Sequence, residues 1–306
     1  MTTEPFTGIL TAVVTPLTGD ASAVDAAGVK RQAEHIISGG IHGLVPGGST
    51  GEFTTLTLDE RKQANELYVE AAAGRVPVVA GTGALSTGET VELSVHAEKA
   101  GAAAVMIVPP FYDAPDFEEL LAHYGAVSDA VDIPIMYYNI PSATGVQLTP
   151  EQLARLARET AVTSYKDTGG DFAWFSAVKE LHAQDITALN GWDTLTFAAL
   201  ASGAQAGVWG TAGVIPRLCA ELYEALGVRG DLHAGRELWS RIFPICRFLE
   251  SHNYACGIKT GVELVGVSAG PTRRPVQPLA PEHRRELRTL LEAAGVETVD
   301  DAAATA

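Results

Sequence analysis

The chain has 306 residues, 46% of them hydrophobic, enough to bury a large core as one big domain or one and a half. A formal net charge of −16 argues against the basic patch that a nucleic-acid surface needs and against electrostatic attachment to anionic membrane. The three cysteines (Cys219, Cys246, Cys256) are far apart with no Cys-x-x-Cys, residues 1–6 lack the start of a signal peptide, and no apolar run approaches a membrane span, so a cytoplasmic protein is expected.

From Gly8 onward, short apolar runs alternate with longer amphipathic segments. The runs are 9–15, 43–46, 76–81, 104–109, 133–138, 161–166, 186–190 and 207–209, with helical patterns between them such as 25–38, 58–73, 87–100 and 116–130. Runs that are apolar throughout suit parallel strands covered on both faces. Eight strand–helix units in this length predict a TIM (β/α)8 barrel, with a doubly wound open sheet as the rival. Thr57 followed by Glu60 reads as a capping box, and Thr149-Pro150 places proline at a first helical position. After the eighth unit, 216–226, 232–250, 255–265 and 281–294 read as helices without strands between them. The chain is thus divided into a barrel, 1–227, a C-terminal helical appendage, 228–295, and an alanine-rich acidic tail, 296–306, expected to be disordered.

In such a barrel the chemistry sits at the carboxyl ends of the strands. The second run is followed by Gly47-Gly48-Ser49-Thr50-Gly51-Glu52, a glycine turn around two hydroxyls whose backbone N–H groups can hold a carboxylate or phosphate. It lacks the Gly-Lys-Ser/Thr of a phosphate-binding loop, and Gly81-Thr82-Gly83 lacks the third glycine of a dinucleotide fingerprint. The eight histidines are scattered, none in a His-x-x-x-His pair, so neither metal nor cofactor is expected. Phenols follow the fourth and fifth runs, at Tyr112 and at Tyr137 and Tyr138. The seventh and eighth runs end in Asn190-Gly191-Trp192-Asp193 and Trp209-Gly210-Thr211.

The sixth run ends in Lys166, followed by Asp167-Thr168-Gly169-Gly170. A lysine at the end of a buried strand is costly to keep as an ammonium, because desolvation disfavours the charged form. A neutral amine near a carbonyl substrate has the makings of a Schiff-base nucleophile, and a phenol one strand away can relay protons to the carbinolamine. Taken alone, Lys166 also fits a solvated strand-end lysine.

Four motifs in order, Gly-Ser-Thr-Gly-Glu (48–52), Ala-Gly-Thr-Gly (80–83), Tyr-Asn-Ile-Pro-Ser-x-Thr-Gly (138–145) and Tyr-Lys-Asp-Thr-Gly-Gly-Asp (165–171), carry a resemblance. From Gly8 to about Leu291 the chain resembles the dihydrodipicolinate synthase / N-acetylneuraminate lyase family of class I aldolases. The resemblance implies that Lys166 forms an imine with pyruvate or a 2-keto acid and that Tyr138 relays protons. Ser49 and Thr50 would hold the keto-acid carboxylate, and Tyr112 would reach into a neighbouring subunit's site in a homotetramer built from dimers. Thr168, Gly191, Asp193, Val208, Gly210 and Thr211 match positions lining the pocket for the second substrate. The departures bear on that substrate. Authentic dihydrodipicolinate synthases usually carry an arginine where this chain has Ala143. Lysine-inhibited members differ at Leu85 and Phe111, and sialic-acid lyases carry a glutamate at Thr194. The expected activity is an aldolase or lyase acting on a 2-keto-3-deoxy sugar acid or hydroxy-oxoacid. Alternatives are 4-hydroxy-tetrahydrodipicolinate synthase, a dehydratase using the same imine, and a non-catalytic keto-acid-binding barrel.

Overall fold

A computed structural model describes residues 6–299. Eight parallel strands, β1 (Gly8–Ala12), β2 (Gly43–Val45), β3 (Val79–Gly81), β4 (Ala104–Ile107), β5 (Ile135–Asn139), β6 (Val162–Asp167), β7 (Thr187–Asn190) and β8 (Ala206–Trp209), run in the order β2-β1-β8-β7-β6-β5-β4-β3. A single parallel bridge, Leu44 to Val78, joins the two ends and closes the TIM barrel. The open-sheet rival is excluded by that bridge and by the β1–β8 pairing.

Alternation along each strand divides the core into layers. Leu10, Ala12, Val45, Val79, Met106, Met136, Leu189 and Val208 fill the barrel interior. Their sequence neighbours Ile9, Leu44, Val105, Ile135 and Tyr137 face outward and pack under the surrounding helices. The helix starts follow local chemistry. Thr57 and Glu60 form a reciprocal capping box before Leu58–Ala72, and Thr149 and Gln152 do the same before Pro150–Glu159, with Pro150 in its first turn.

Beyond β8 the chain is helical: Pro216–Tyr223, a π-helical turn Glu224–Val228, then Leu232–Glu250, Tyr254–Leu264 and Pro281–Ala293. The last three helices share one apolar cluster with the barrel's outer layer, in which Ile242, Leu249, Ile258, Val262, Leu287 and Leu291 join Val14, Leu17 and Val214. Of the segment expected to be a disordered tail, residues 296–299 are hydrogen-bonded: the Val296 N–H donates to the Leu291 carbonyl and the Val299 N–H to the Leu264 carbonyl. Both valines pair through the backbone, and Val296 also packs against the apolar cluster, which the acidic, alanine-rich composition concealed. Residues 300–306 lie outside the described residues. No helix among the described residues is long and apolar enough to cross a membrane.

Candidate active site

Lys166 and Tyr138 are register partners on β6 and β5. A β-bulge brings them opposite each other: Ile135 pairs with Val162 but Met136 with Ser164, leaving Thr163 as the extra residue. From there the pleat points Ser164 and Lys166 inward. On β5 it turns Tyr138 into the barrel and Tyr137 outward, against Tyr124. Lys166 is 5% exposed, and its Nζ lies 4.1 Å from the centroid of the Tyr138 ring. Among the described residues no carboxylate forms an ion pair with it.

Asp167, next in sequence, belongs to a different network. Its Oδ1 accepts from Asn139 Nδ2 (2.7 Å) and the Gly169 N–H (3.1 Å), while burial pushes its carboxyl up to about 6. The Gly191 N–H donates to the Asp167 carbonyl and the Thr168 N–H to the Asn139 carbonyl, lacing the loops after β5, β6 and β7 together. Thr168 Oγ1 donates to the Gly191 carbonyl at 3.1 Å. Only glycine fits at 191, since a Cβ there would lie 2.7 Å from Lys166 Cγ and 2.6 Å from Thr168 Oγ1.

These groups open on a cavity of about 220 Å³ at the carboxyl end of the barrel, lined by Ser49, Thr50, Tyr138, Lys166, Thr168, Gly191, Asp193, Val208 and Gly210 among others. Ser49 and Thr50 sit in the turn after β2, whose own bonds run from the Gly51 N–H to Gly48 and from the Glu52 N–H to Ser49. The turn's internal bonding is therefore donated by Gly51 and Glu52, not by the Ser49 or Thr50 amides.

Two residues that the sequence assigned to the site stand apart from the cavity. Thr211 is fully buried behind its wall, donating its hydroxyl and its N–H (3.2 Å) to Asp193 Oδ2. Tyr112 is 91% exposed and does not line the cavity of its own chain, whereas its neighbour Phe111 packs edge-on against Phe53, ring centroids 5.9 Å apart.

The C-terminal helices supply residues that sequence reasoning missed. Tyr254, first in its helix, lines the cavity and donates its hydroxyl to Asp193 Oδ2. Glu250, last in the preceding helix, also lines it and accepts from the Thr194 N–H (2.9 Å) and hydroxyl (2.8 Å). Burial, together with the nearby Glu250, raises the Asp193 carboxyl to about 6, although Thr211 and Tyr254 donate to it. Trp192 completes that wall, with Nε1 donating to Thr194 Oγ1 at 3.1 Å, and Ala12 and Ile140 add apolar surface. Trp192 was within reach of the sequence as part of the motif ending β7. Nothing in the helical pattern marked Glu250 or Tyr254. Among the described residues, those lining the cavity include no arginine and no lysine besides Lys166. Among the described residues, no cluster of His, Cys, Asp and Glu could hold a metal ion.

The sequence profile described as the Dihydrodipicolinate synthetase family matches residues 5–294. The 4-hydroxy-tetrahydrodipicolinate synthase of Methanopyrus kandleri is 37% identical over 290 residues, 94% of this chain and 96% of that protein. Among solved structures, the chloride-inhibited dihydrodipicolinate synthase from Acinetobacter baumannii complexed with pyruvate is similar with a TM-score of 0.91 at 30% identity, covering 95% of this chain and 100% of that one. YagE, a prophage protein of the dihydrodipicolinic acid synthase family from E. coli K12 in complex with pyruvate, has a TM-score of 0.90 at 29% identity, covering 95% and 99%. An inward lysine beside a phenol at the carboxyl end of the barrel accords with these likenesses: the chain belongs to the dihydrodipicolinate synthetase family, and with it to the lyases that work through a lysine Schiff base.

Proposed function

We propose that the protein is a pyruvate-type aldolase in which Lys166 forms the imine, and that its substrate is a 2-keto-3-deoxy sugar acid or hydroxy-oxoacid. The carrying observation is that Lys166 and Tyr138 share a cavity whose lining, among the described residues, has no second cation and is otherwise apolar, hydroxylic or acidic. Lys166 Nζ attacks the ketone carbon, and the carbinolamine loses water with Tyr138 relaying the proton. The protonated imine draws electrons from the C3–C4 bond, which breaks as the C4 hydroxyl gives up its proton. An aldehyde leaves, and the enamine takes a proton at C3. Water then hydrolyses the imine, releasing pyruvate and the free amine. Ser49 and Thr50 hold the carboxylate of the keto acid. Thr168, Gly191, Asp193, Val208 and Gly210 border the aldehyde half, with Thr211 bracing Asp193. Hydroxyls of a sugar fragment can donate to the acidic wall formed by Asp193 and Glu250, whereas a second carboxylate finds no cation there.

Condensation of pyruvate with aspartate semialdehyde is the second reading, supported by the name of the Methanopyrus relative. Ala143 speaks against it, because the semialdehyde's carboxylate lacks the guanidinium that would bind it. Loss of water from a deoxy sugar acid through the same imine is a third, and it would release no pyruvate. Coupled detection of pyruvate across a panel of 2-keto-3-deoxy acids, run beside condensation of pyruvate with aspartate semialdehyde, separates all three. Turnover of the semialdehyde pair alone would overturn the sugar-acid assignment.

The active assembly in this reading is a homotetramer of two dimers, supported by a tyrosine that is 91% exposed and held outside its own cavity. Such aromatic loop residues commonly anchor interfaces. Cys219, Cys246 and Cys256 are all free and buried, which supports a reducing, cytoplasmic location.

A further inference from the structure

Glu52 stands directly after the Ser49-Thr50-Gly51 turn with φ +57, the left-handed region that costs a residue with a Cβ free energy. Its side chain is 3% exposed, and its Oε2 accepts from Lys259 Nζ at 2.8 Å, itself 3% exposed. Lys259 comes from the helix Tyr254–Leu264, at 207 residues' separation, and also donates to the Pro271 carbonyl at 2.8 Å. Two residues beyond Pro271, Arg273 donates to the Thr55 carbonyl at 2.9 Å and forms paired bonds with Glu60 at 2.7 and 2.8 Å. At the turn's other side, Thr15 Oγ1 donates to the Gly51 carbonyl at 2.8 Å.

A buried ion pair is a poor source of net stability, because removing both charges from water offsets most of their attraction. Its value is geometric: an unpaired carboxylate could not stay at this depth, so pairing with Lys259 commits Glu52, and with it the left-handed backbone at the end of the turn, to one position. The same helix begins with Tyr254, which lines the cavity and holds Asp193, so one helix braces two walls of the site.

We propose that Lys259, acting through Glu52, is a positioning residue for keto-acid binding: the pair reaches from the C-terminal helices to the turn after β2 and holds Ser49 and Thr50 in place to receive the substrate carboxylate at the cavity that Lys166 enters. This rests on the reading that Lys166 forms the imine. It adds that affinity for the carboxylate is set from outside the barrel by a residue that touches no substrate.

The test uses the double variant Glu52→Gln/Lys259→Met, which removes both charges so that neither is left buried alone. Borohydride trapping is measured against concentration for pyruvate and for hydroxyacetone, a ketone without a carboxylate. The expected result is a half-saturating pyruvate concentration raised about 10- to 100-fold, the scale of losing a well-placed charge-assisted hydrogen bond, with hydroxyacetone trapping unchanged. If the double variant does not fold by circular dichroism, Glu52→Gln alone, which keeps Lys259 bonded to Pro271, takes its place with the same two ketones. Unchanged pyruvate trapping, or an equal loss for both ketones, overturns the positioning role and leaves the imine intact. No pyruvate adduct on Lys166 of the unmutated enzyme overturns the imine reading and this inference with it.

Discussion

Replacing Asp193 by Asn should make the protein more stable at neutral pH while impairing its use of the aldehyde half of the substrate. Three donors, the Thr211 N–H, the Thr211 hydroxyl and the Tyr254 hydroxyl, converge on one oxygen, Oδ2. The carboxamide oxygen of an asparagine can take that position and keep all three bonds. Its amide group then takes the place of Oδ1 and carries no charge for the nearby Glu250 to repel. With the carboxyl raised from 3.8 to about 6, holding Asp193 ionised costs about 3 kcal/mol, at roughly 1.36 kcal/mol per pKa unit. The sign follows from linkage. The folded state binds the proton more tightly than the unfolded state, so this contribution to stability is fully present below about 3.8 and is lost as pH rises to about 6. Urea unfolding of both proteins from pH 4 to 7 should therefore show a difference near zero at pH 4, growing to roughly 2–3 kcal/mol in favour of the variant at pH 7. Pyruvate trapping on Lys166 should persist in the variant, while kcat/KM for the full substrate falls. A variant less stable than the parent at pH 7 would refute the account, because it would mean that the ionised carboxylate is the form this pocket favours.

Borohydride with pyruvate should add one pyruvate-sized mass to Lys166; Lys166→Ala should abolish it, and Tyr138→Phe should retain it while slowing turnover about 10²- to 10⁴-fold. An adduct on any other lysine, found by peptide mapping, would remove the assigned nucleophile. Tyr112→Phe should lower activity without dissociating the oligomer in analytical ultracentrifugation. Reassembly of Tyr112→Phe subunits with Lys166→Ala subunits should recover activity above the sum of the two parents, and mixed oligomers that stay at that sum would place the phenol's action within its own chain. Ala143→Arg should improve binding of aspartate semialdehyde by about 1.5–3 kcal/mol, roughly 10- to 150-fold in KM, by restoring a charge-assisted contact to its carboxylate. No gain in a coupled condensation assay would mean that position 143 does not reach the second substrate.

What the sequence determined by itself was whatever depends on residues close together in the chain. Apolar runs covered on both faces announced eight parallel strands, and Thr57 with Glu60 and Thr149-Pro150 marked helix starts that the structure reproduces. Because strand ends follow from the same pattern, Lys166, Tyr138 and the Ser49–Thr50 turn could be placed at one end of a barrel before any coordinates. Boundaries slipped where local signals were weak: the run read as 76–81 pairs as a strand only over Val79–Gly81, and the sixth extends one residue further, to Asp167. Tertiary structure alone decided what depends on convergence across long separations. The bulge at Thr163 sets which β5 residue faces Lys166, and it arises from pairing with a neighbouring strand rather than from any pattern within β6. Tyr254 meets Asp193 across 61 residues and Lys259 meets Glu52 across 207, contacts fixed by how the C-terminal helices pack on the barrel. A helical period says which face of such a helix is buried; which side chain on that face ends over a particular strand depends on the helix's axial position and tilt, and those are set by packing in three dimensions.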